Sequence, residues 1–274
     1  MFAKLLKHEW QATRGVIGLL CVIILVCGLM IGCSAHYLIW VEESTMVVID
    51  ADGDSSNVLS VLCVLLMMAG AMAMAVCAAG SVFAVTWRFY KSRFTDEGYL
   101  TFTLPVTHHQ LLLSSLLNSI FGVLAVIAAC ILAALIVVAL FLLAVPQQIV
   151  WADAWVSLGE AWQQILASLS QNSREFLSLG IGTVIGFIAS LVQLMLAVTI
   201  GALVAKKHKI LAAVGVYYGI NLGLSFIQML FAMSAAFSQS FSLLMNSATL
   251  LSAAVAVGGY FLMYWLTSRK LNLT

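Results

Sequence analysis

Long apolar runs separated by short polar segments make up most of the chain. Runs at Gly15–Trp40, Val58–Trp87, Leu111–Ala144, Phe176–Val204, Ile210–Phe237 and Ala248–Leu266 are each long enough to cross a hydrocarbon core, which needs about 20 apolar residues. They predict an all-α membrane protein, a single transmembrane domain over residues 1–274, with six transmembrane helices (15–40, 58–87, 111–144, 176–204, 210–237 and 248–266). Six crossings leave both termini on the same side.

Lys and Arg say which side that is. Eleven of the 12 fall in four clusters: Lys4, Lys7 and Arg14; Arg88, Lys91 and Arg93; Lys206, Lys207 and Lys209; Arg269 and Lys270. The positive-inside bias makes these segments, and so the N and C termini, cytoplasmic. Glu42, Glu43, Asp50, Asp52, Asp54, Asp153, Glu160 and Glu175 lie on the other face, with Arg174 as the one basic exception. Composition adds an exclusion. At 63% hydrophobic and 8% charged residues, the chain cannot cover the surface of a water-soluble domain of this size. No basic stripe with interleaved aromatics occurs outside the short cytoplasmic turns, so nucleic acid is not an expected partner.

Residues 1–14 place Phe2, Leu5, Leu6 and Trp10 near one side of a helix, with Lys4, Lys7 and Gln11 on the other. This predicts an N-terminal interfacial amphipathic helix in the inner headgroup layer; the alternative is that the segment simply extends the first span. The run from Gly15 is about twice as long as a signal-peptide core and leads into further spans, so it is read as retained.

Candidate chemistry is sparse. Cys21, Cys27, Cys33, Cys63, Cys77 and Cys130 all lie in spans without ligand spacing and read as packing residues; the histidines lack metal partners by spacing, so no metal site is expected. The chain has no phosphate-loop motif and no His-Glu-x-x-His motif, and its apolar runs hold essentially no ionisable group. It is therefore read as carrying no catalytic residue and no cofactor of its own. The deep polar groups are amides: Asn118, Gln193, Asn221 and Gln228. They serve either helix association or contact with a substrate along a path through the membrane. Gly28 and Gly32, Gly182 and Gly186, and Gly215, Gly219 and Gly223 follow small-x-x-x-small spacing, which lets helices approach closely within or between subunits.

Two loops carry more pattern than a connection needs. The outer segment 146–172 sets Trp151, Trp155, Leu158, Trp162, Ile165 and Leu169 at helical spacing, predicting an amphipathic helix that caps the outer side or anchors a long loop. The cytoplasmic loop 88–110 reads RFYKSRFTDEGYLTFTLPVTHHQ. Thr95 before Asp96 and Glu97 resembles a helix start, Pro105 breaks the backbone, and Thr107 with Gln110 has capping-box spacing for a helix that continues as the third span. Leu100 to Leu104 alternates apolar and polar positions and predicts a short helix or extended elbow. An exposed apolar elbow calls for a partner.

The run Asp96-Glu97-Gly98-Tyr99-Leu100-Thr101-Phe102-Thr103-Leu104-Pro105-Val106-Thr107, followed by Gln110-Leu111-Leu112-Leu113, resembles the loop between the second and third spans in permease subunits of type 2 ATP-binding cassette exporters. The amphipathic start, six spans and inner termini are similar too. Specific likeness is confined to about 20 residues. Basic residues often stand where this chain has His108 and His109, and a Lys where it has Ser115. The resemblance implies a bacterial cell (plasma) membrane and a permease subunit of an ATP-driven exporter, working as a homodimer or heterodimer with a similar permease. ATP and Mg are implied to act through a separate ATPase subunit. That ATPase would dock on Asp96, Glu97, Gly98, Tyr99, Leu100, Leu104, Pro105, Thr107 and Gln110. Apolar walls with few amides fit a hydrophobic or amphipathic cargo. The alternative is a non-transporting membrane protein for ligand binding, immunity or sensing, which would use the Trp-bearing outer loop but leave the inner elbow without a purpose.

Overall fold

A computed structural model describes residues 2–44, 55–95, 107–144, 150–171, 173–205, 208–238 and 241–269. Among them are seven helices: α1 (Phe2–Ser44), α2 (Ser55–Phe94), α3 (His108–Ala144), α4 (Val150–Gln171), α5 (Ser173–Val204), α6 (Lys209–Ser238) and α7 (Phe241–Arg269). No strand occurs among the described residues. All except α4 are long and apolar enough to cross a membrane, over Lys4–Ile39, Val58–Phe94, His108–Leu143, Phe176–Val204, Lys209–Ser234 and Asn246–Ser268. The chain is a multi-pass membrane protein.

The first spans overshoot the bilayer. α1, α2 and α3 have 43, 40 and 37 residues, where about 20 suffice to cross the core. Residues 2–14 form the first turns of α1 without a break, so the segment read as a separate surface helix and the first span are one helix. Within the segment 146–172, residues 150–171 form α4, on which Trp162 is exposed. The side chains of Trp151, Trp155, Leu158, Ile165 and Leu169 lie outside the described residues.

The chain divides into two compact units. The first comprises Met1–Gln11, Val85–Ile120 and Ile165–Thr274. Within it α5 packs on both α6 and α7, and α6 on α7. Leu111, Leu112, Val192, Met195 and Met263 are the most deeply buried large apolar side chains there. The second comprises Ala12–Ala84 and Phe121–Gln164, with Ile24, Val126 and Ala133 fully buried.

Glycines mark where helices meet. In the second unit a Cβ built on Gly28 would lie 2.8 Å from the Ala133 Cβ, one on Gly32 2.5 Å from Leu140 Cδ1, and one on Gly70 2.8 Å from Ile31 Cγ1. The Gly28/Gly32 seam is thus internal to the chain, between α1 and α3. In the first unit Gly182 faces Thr249, and Gly201 lies directly against the backbone of Ala213, where the chain doubles back from α5 into α6. Gly186, Gly215, Gly219 and Gly223 meet nothing within 4 Å. The apolar side chains around that last series, such as Leu211, Tyr218 and Leu222, face outward, as lipid-exposed positions do in a protein whose solvent is hydrocarbon.

Gly201→Ala should therefore destabilise by about 1–3 kcal/mol, the usual cost of overpacking against atoms that cannot yield. Gly219→Ala should change stability by less than about 1 kcal/mol, the scale of an unopposed Gly-to-Ala change in a helix. Melting of the two purified variants in the same detergent checks the contrast, and equal losses would mean that the second glycine is packed after all.

Candidate functional site

The polar core of the first unit lies where α1 begins, α2 ends and α3 begins. The last turns of α2 turn Val85, Phe89, Ser92 and Arg93 inward, a spacing that keeps them on one helix face. Arg93, expected as one of three basic residues at the membrane edge, is instead only 3% exposed. The cause is Glu9, itself 7% exposed. Its Oε1 lies 3.4 Å from Arg93 Nη2, and the same nitrogen donates to the Leu111 carbonyl at 2.5 Å and to Ser115 Oγ at 2.7 Å. Ser115 passes the link on, its hydroxyl donating to Glu9 Oε1 at 3.0 Å. The Phe89 ring covers the guanidinium, its centroid 5.9 Å from Cζ.

Three helices are thereby fastened by one cation. Glu9 belongs to α1, Arg93 to α2, Leu111 and Ser115 to α3. Residues 96–106, which hold the expected docking residues Asp96, Glu97, Gly98, Tyr99, Leu100, Leu104 and Pro105, lie outside the described residues, but the helix ends on either side of them are fixed by this bracket. Thr107 and Gln110 are described. Thr107 Oγ1 accepts the backbone N–H of Gln110 at 3.3 Å, and Leu111 N–H donates to the Thr107 carbonyl at 3.1 Å, which caps α3 as the capping-box spacing predicts. Thr95, expected at a helix start, closes the last turn of α2: its hydroxyl donates to the Lys91 carbonyl at 2.5 Å.

The first turn of α3 has a second tie. His109 Nδ1 and the Tyr260 hydroxyl are 2.6 Å apart, and the His109 ring meets Tyr260 and Tyr264 of α7 edge-on, at centroid distances of 5.5 and 6.2 Å. His109 and Ser115, two of the departures from the exporter pattern, are therefore both structural contacts here.

Beside the bracket, Glu9, Val85, Arg88, Phe89, Ser92, Ser115, Asn118 and Ser119 line a pocket of about 190 Å³ counting its open side. It has room for about one ordered water. Of the amides expected along a substrate path, Asn118 lines this pocket and is buried; Gln193 is buried in α5 with its Nε2 unbonded among the described residues. Asn221 donates to the Tyr217 carbonyl of its own helix at 3.0 Å, and Gln228 is exposed. The pocket gathers only the first of the four. The cysteines form no disulfide; Cys27 is buried, Cys33 exposed and the others intermediate.

Sequence reasoning gave Glu9 no role, although a signal was present. On a helix Glu9 falls at i+7 from Phe2 and i+4 from Leu5, in the middle of the apolar stripe that Phe2, Leu5, Leu6 and Trp10 define. An acid there has to be buried with a partner or exposed with the stripe. In comparisons with known proteins the chain matches no family model, no curated protein and no solved structure.

Removing one member of a buried ion pair strands the other charge, at a cost of about 3–5 kcal/mol, whereas replacing both with apolar groups is often neutral. Glu9→Leu and Arg93→Met should each lower the melting temperature clearly, and the double variant should recover most of the loss. A double variant no more stable than the worse single one would show that the pair is not what holds these helix ends.

Proposed function

We propose that this chain is the transmembrane permease subunit of an ATP-driven exporter, and that residues 96–106 form the elbow on which a separate ATPase subunit acts. The observation that carries the reading is the Glu9–Arg93–Ser115 bracket. A push on a loop is absorbed at the loop's root unless the root is stiff. Here the root is braced by a buried cation shared among α1, α2 and α3, and again by His109 on α7. A connection that served only to join two spans has no use for such bracing.

On this reading the Lys/Arg-rich side is cytoplasmic, and Asp96, Glu97, Gly98, Tyr99, Leu100, Leu104 and Pro105, with Thr107 and Gln110 at the start of α3, are the docking surface. ATP and Mg act in the partner, and the permease pairs with a second copy or a similar subunit in a bacterial cell membrane. Closure of the ATPases rocks the spans. To be moved by that rocking, the cargo must bind less tightly in the outward state than in the inward one, and apolar walls with few amides select a hydrophobic or amphipathic molecule. The rival, a membrane protein that binds a ligand from outside without moving it, draws on the amphipathic α4 with its exposed Trp162, and leaves the bracket unloaded.

The test is reconstitution with the cognate ATPase. Glu97→Ala with Tyr99→Ala should return permease-stimulated ATP turnover to the level of the ATPase alone while membrane insertion and melting stay unchanged. Stimulation that survives both substitutions would remove the elbow from the mechanism.

A further inference from the structure

Arg93 is held lopsidedly. Among the described residues its three hydrogen-bonding contacts all fall on Nη2: the Leu111 carbonyl at 2.5 Å, Ser115 Oγ at 2.7 Å and Glu9 Oε1 at 3.4 Å. Nη2 carries two protons and faces three acceptors, and the carboxylate is the acceptor it serves worst. Nε is buried and donates to no partner among the described residues. In a desolvated site an arginine and a carboxylate pair most strongly through a fork of two parallel N–H···O bonds. That arrangement is absent here, and forming it requires the guanidinium to rotate. The adjoining pocket, lined by Glu9 and Ser115 together with Arg88, Asn118 and Ser119, has room for one water to take over an acceptor that the guanidinium abandons.

The geometry points to Arg93 as a two-position switch. In the position seen, the guanidinium clasps the Leu111 carbonyl and the Ser115 hydroxyl and ties the first turn of α3 to the last turn of α2. In the other, Nε and one terminal nitrogen fork onto the two oxygens of Glu9. The Leu111 carbonyl and Ser115 are released, and the start of α3 is freed from α2 while α1 and α2 stay joined. No bond is made or broken and no proton moves; contacts to neutral acceptors are traded for a paired carboxylate. Ser115 sets the balance, because its hydroxyl accepts from Arg93 and donates to Glu9 at 3.0 Å. The switch goes beyond the exporter reading and does not depend on it, since it describes what the two helix ends flanking 96–106 do whatever acts on that segment.

Arginine Nε–H resonances report the switch directly. The full chain, labelled with ¹⁵N-arginine in phosphatidylcholine/phosphatidylglycerol nanodiscs, has few such signals, and Arg93→Lys identifies the one that matters by its loss. The Arg93 Nε–H signal is expected to show microsecond-to-millisecond exchange. Ser115→Ala should shift it towards the forked position and Glu9→Gln in the opposite sense, towards the clasped one. Ser115→Ala leaves every charge in place, so it keeps the experiment readable if Glu9→Gln folds poorly: its resonance must move and its exchange must change. A sharp Arg93 signal without exchange, unmoved by Ser115→Ala or displaced in the same sense by both variants, overturns the switch and leaves Arg93 as a fixed brace. The elbow reading is decided separately by stimulated ATP turnover, so the two can fail independently.

Discussion

A guanidinium taken out of water has to find both a counter-charge and acceptors within the protein, because an unpaired buried charge costs far more than a helix end can recover. Arg93 meets that demand with Glu9 of α1 and with Leu111 and Ser115 of α3, and the placement of all three helix ends follows. α2 has to run on past Trp87 to Phe94 to deliver the side chain, which is why its apolar window extends beyond the run read from the sequence. α3 has to begin at His108 so that the Leu111 carbonyl and Ser115, one turn apart, both face the same nitrogen. α1 has to turn Glu9 inward, and its exposed residues at that end, Lys4, Lys7, Gln11 and Arg14, then face away from the bracket.

What the sequence made legible were features with a long wavelength or a strict local rule. A helix in hydrocarbon must be apolar over its whole crossing, so each span announced itself with many residues, and the six predicted runs coincide with six helices to within a few residues at most of their ends. Capping is equally legible, because the Thr107 hydroxyl accepts the backbone N–H of Gln110 three residues on. The bracket was not legible because it joins residues 84 and 106 positions apart, and no local pattern encodes such a pairing. Arg93 also carried a misleading signal: it sits in a cluster with Arg88 and Lys91, and a basic residue at the end of a span ordinarily marks the membrane edge. Only Glu9, placed in an apolar stripe, hinted that one of those cations was spoken for.

Small residues divide along the same line. The spacing of Gly28 with Gly32 and that of Gly215 with Gly219 and Gly223 are indistinguishable in sequence, since both keep small residues on one helix face. In the structure the first pair receives Ala133 and Leu140 of α3, and the second series receives nothing within 4 Å. A small-x-x-x-small stripe states only that a close approach is allowed; whether a helix takes it up depends on where the connecting segments deliver the neighbours. At Gly201 delivery is forced, because a link of a few residues returns the chain into α6 and leaves Ala213 no other place to pass.

The chemical nature of the bracket matters as much as its position. Apolar contacts hold helices together without fixing how far one slides along another, since their energy depends on buried area and not on direction. A guanidinium bonded to one named carbonyl and one named hydroxyl fixes the register of α3 on α2, because a shift of one residue would carry Leu111 and Ser115 out of reach. A buried ion pair adds little net stability over a well-packed apolar substitute, so its value here lies in registration. Registration, more than added stability, is therefore what this buried charge contributes where the ends of α1, α2 and α3 meet.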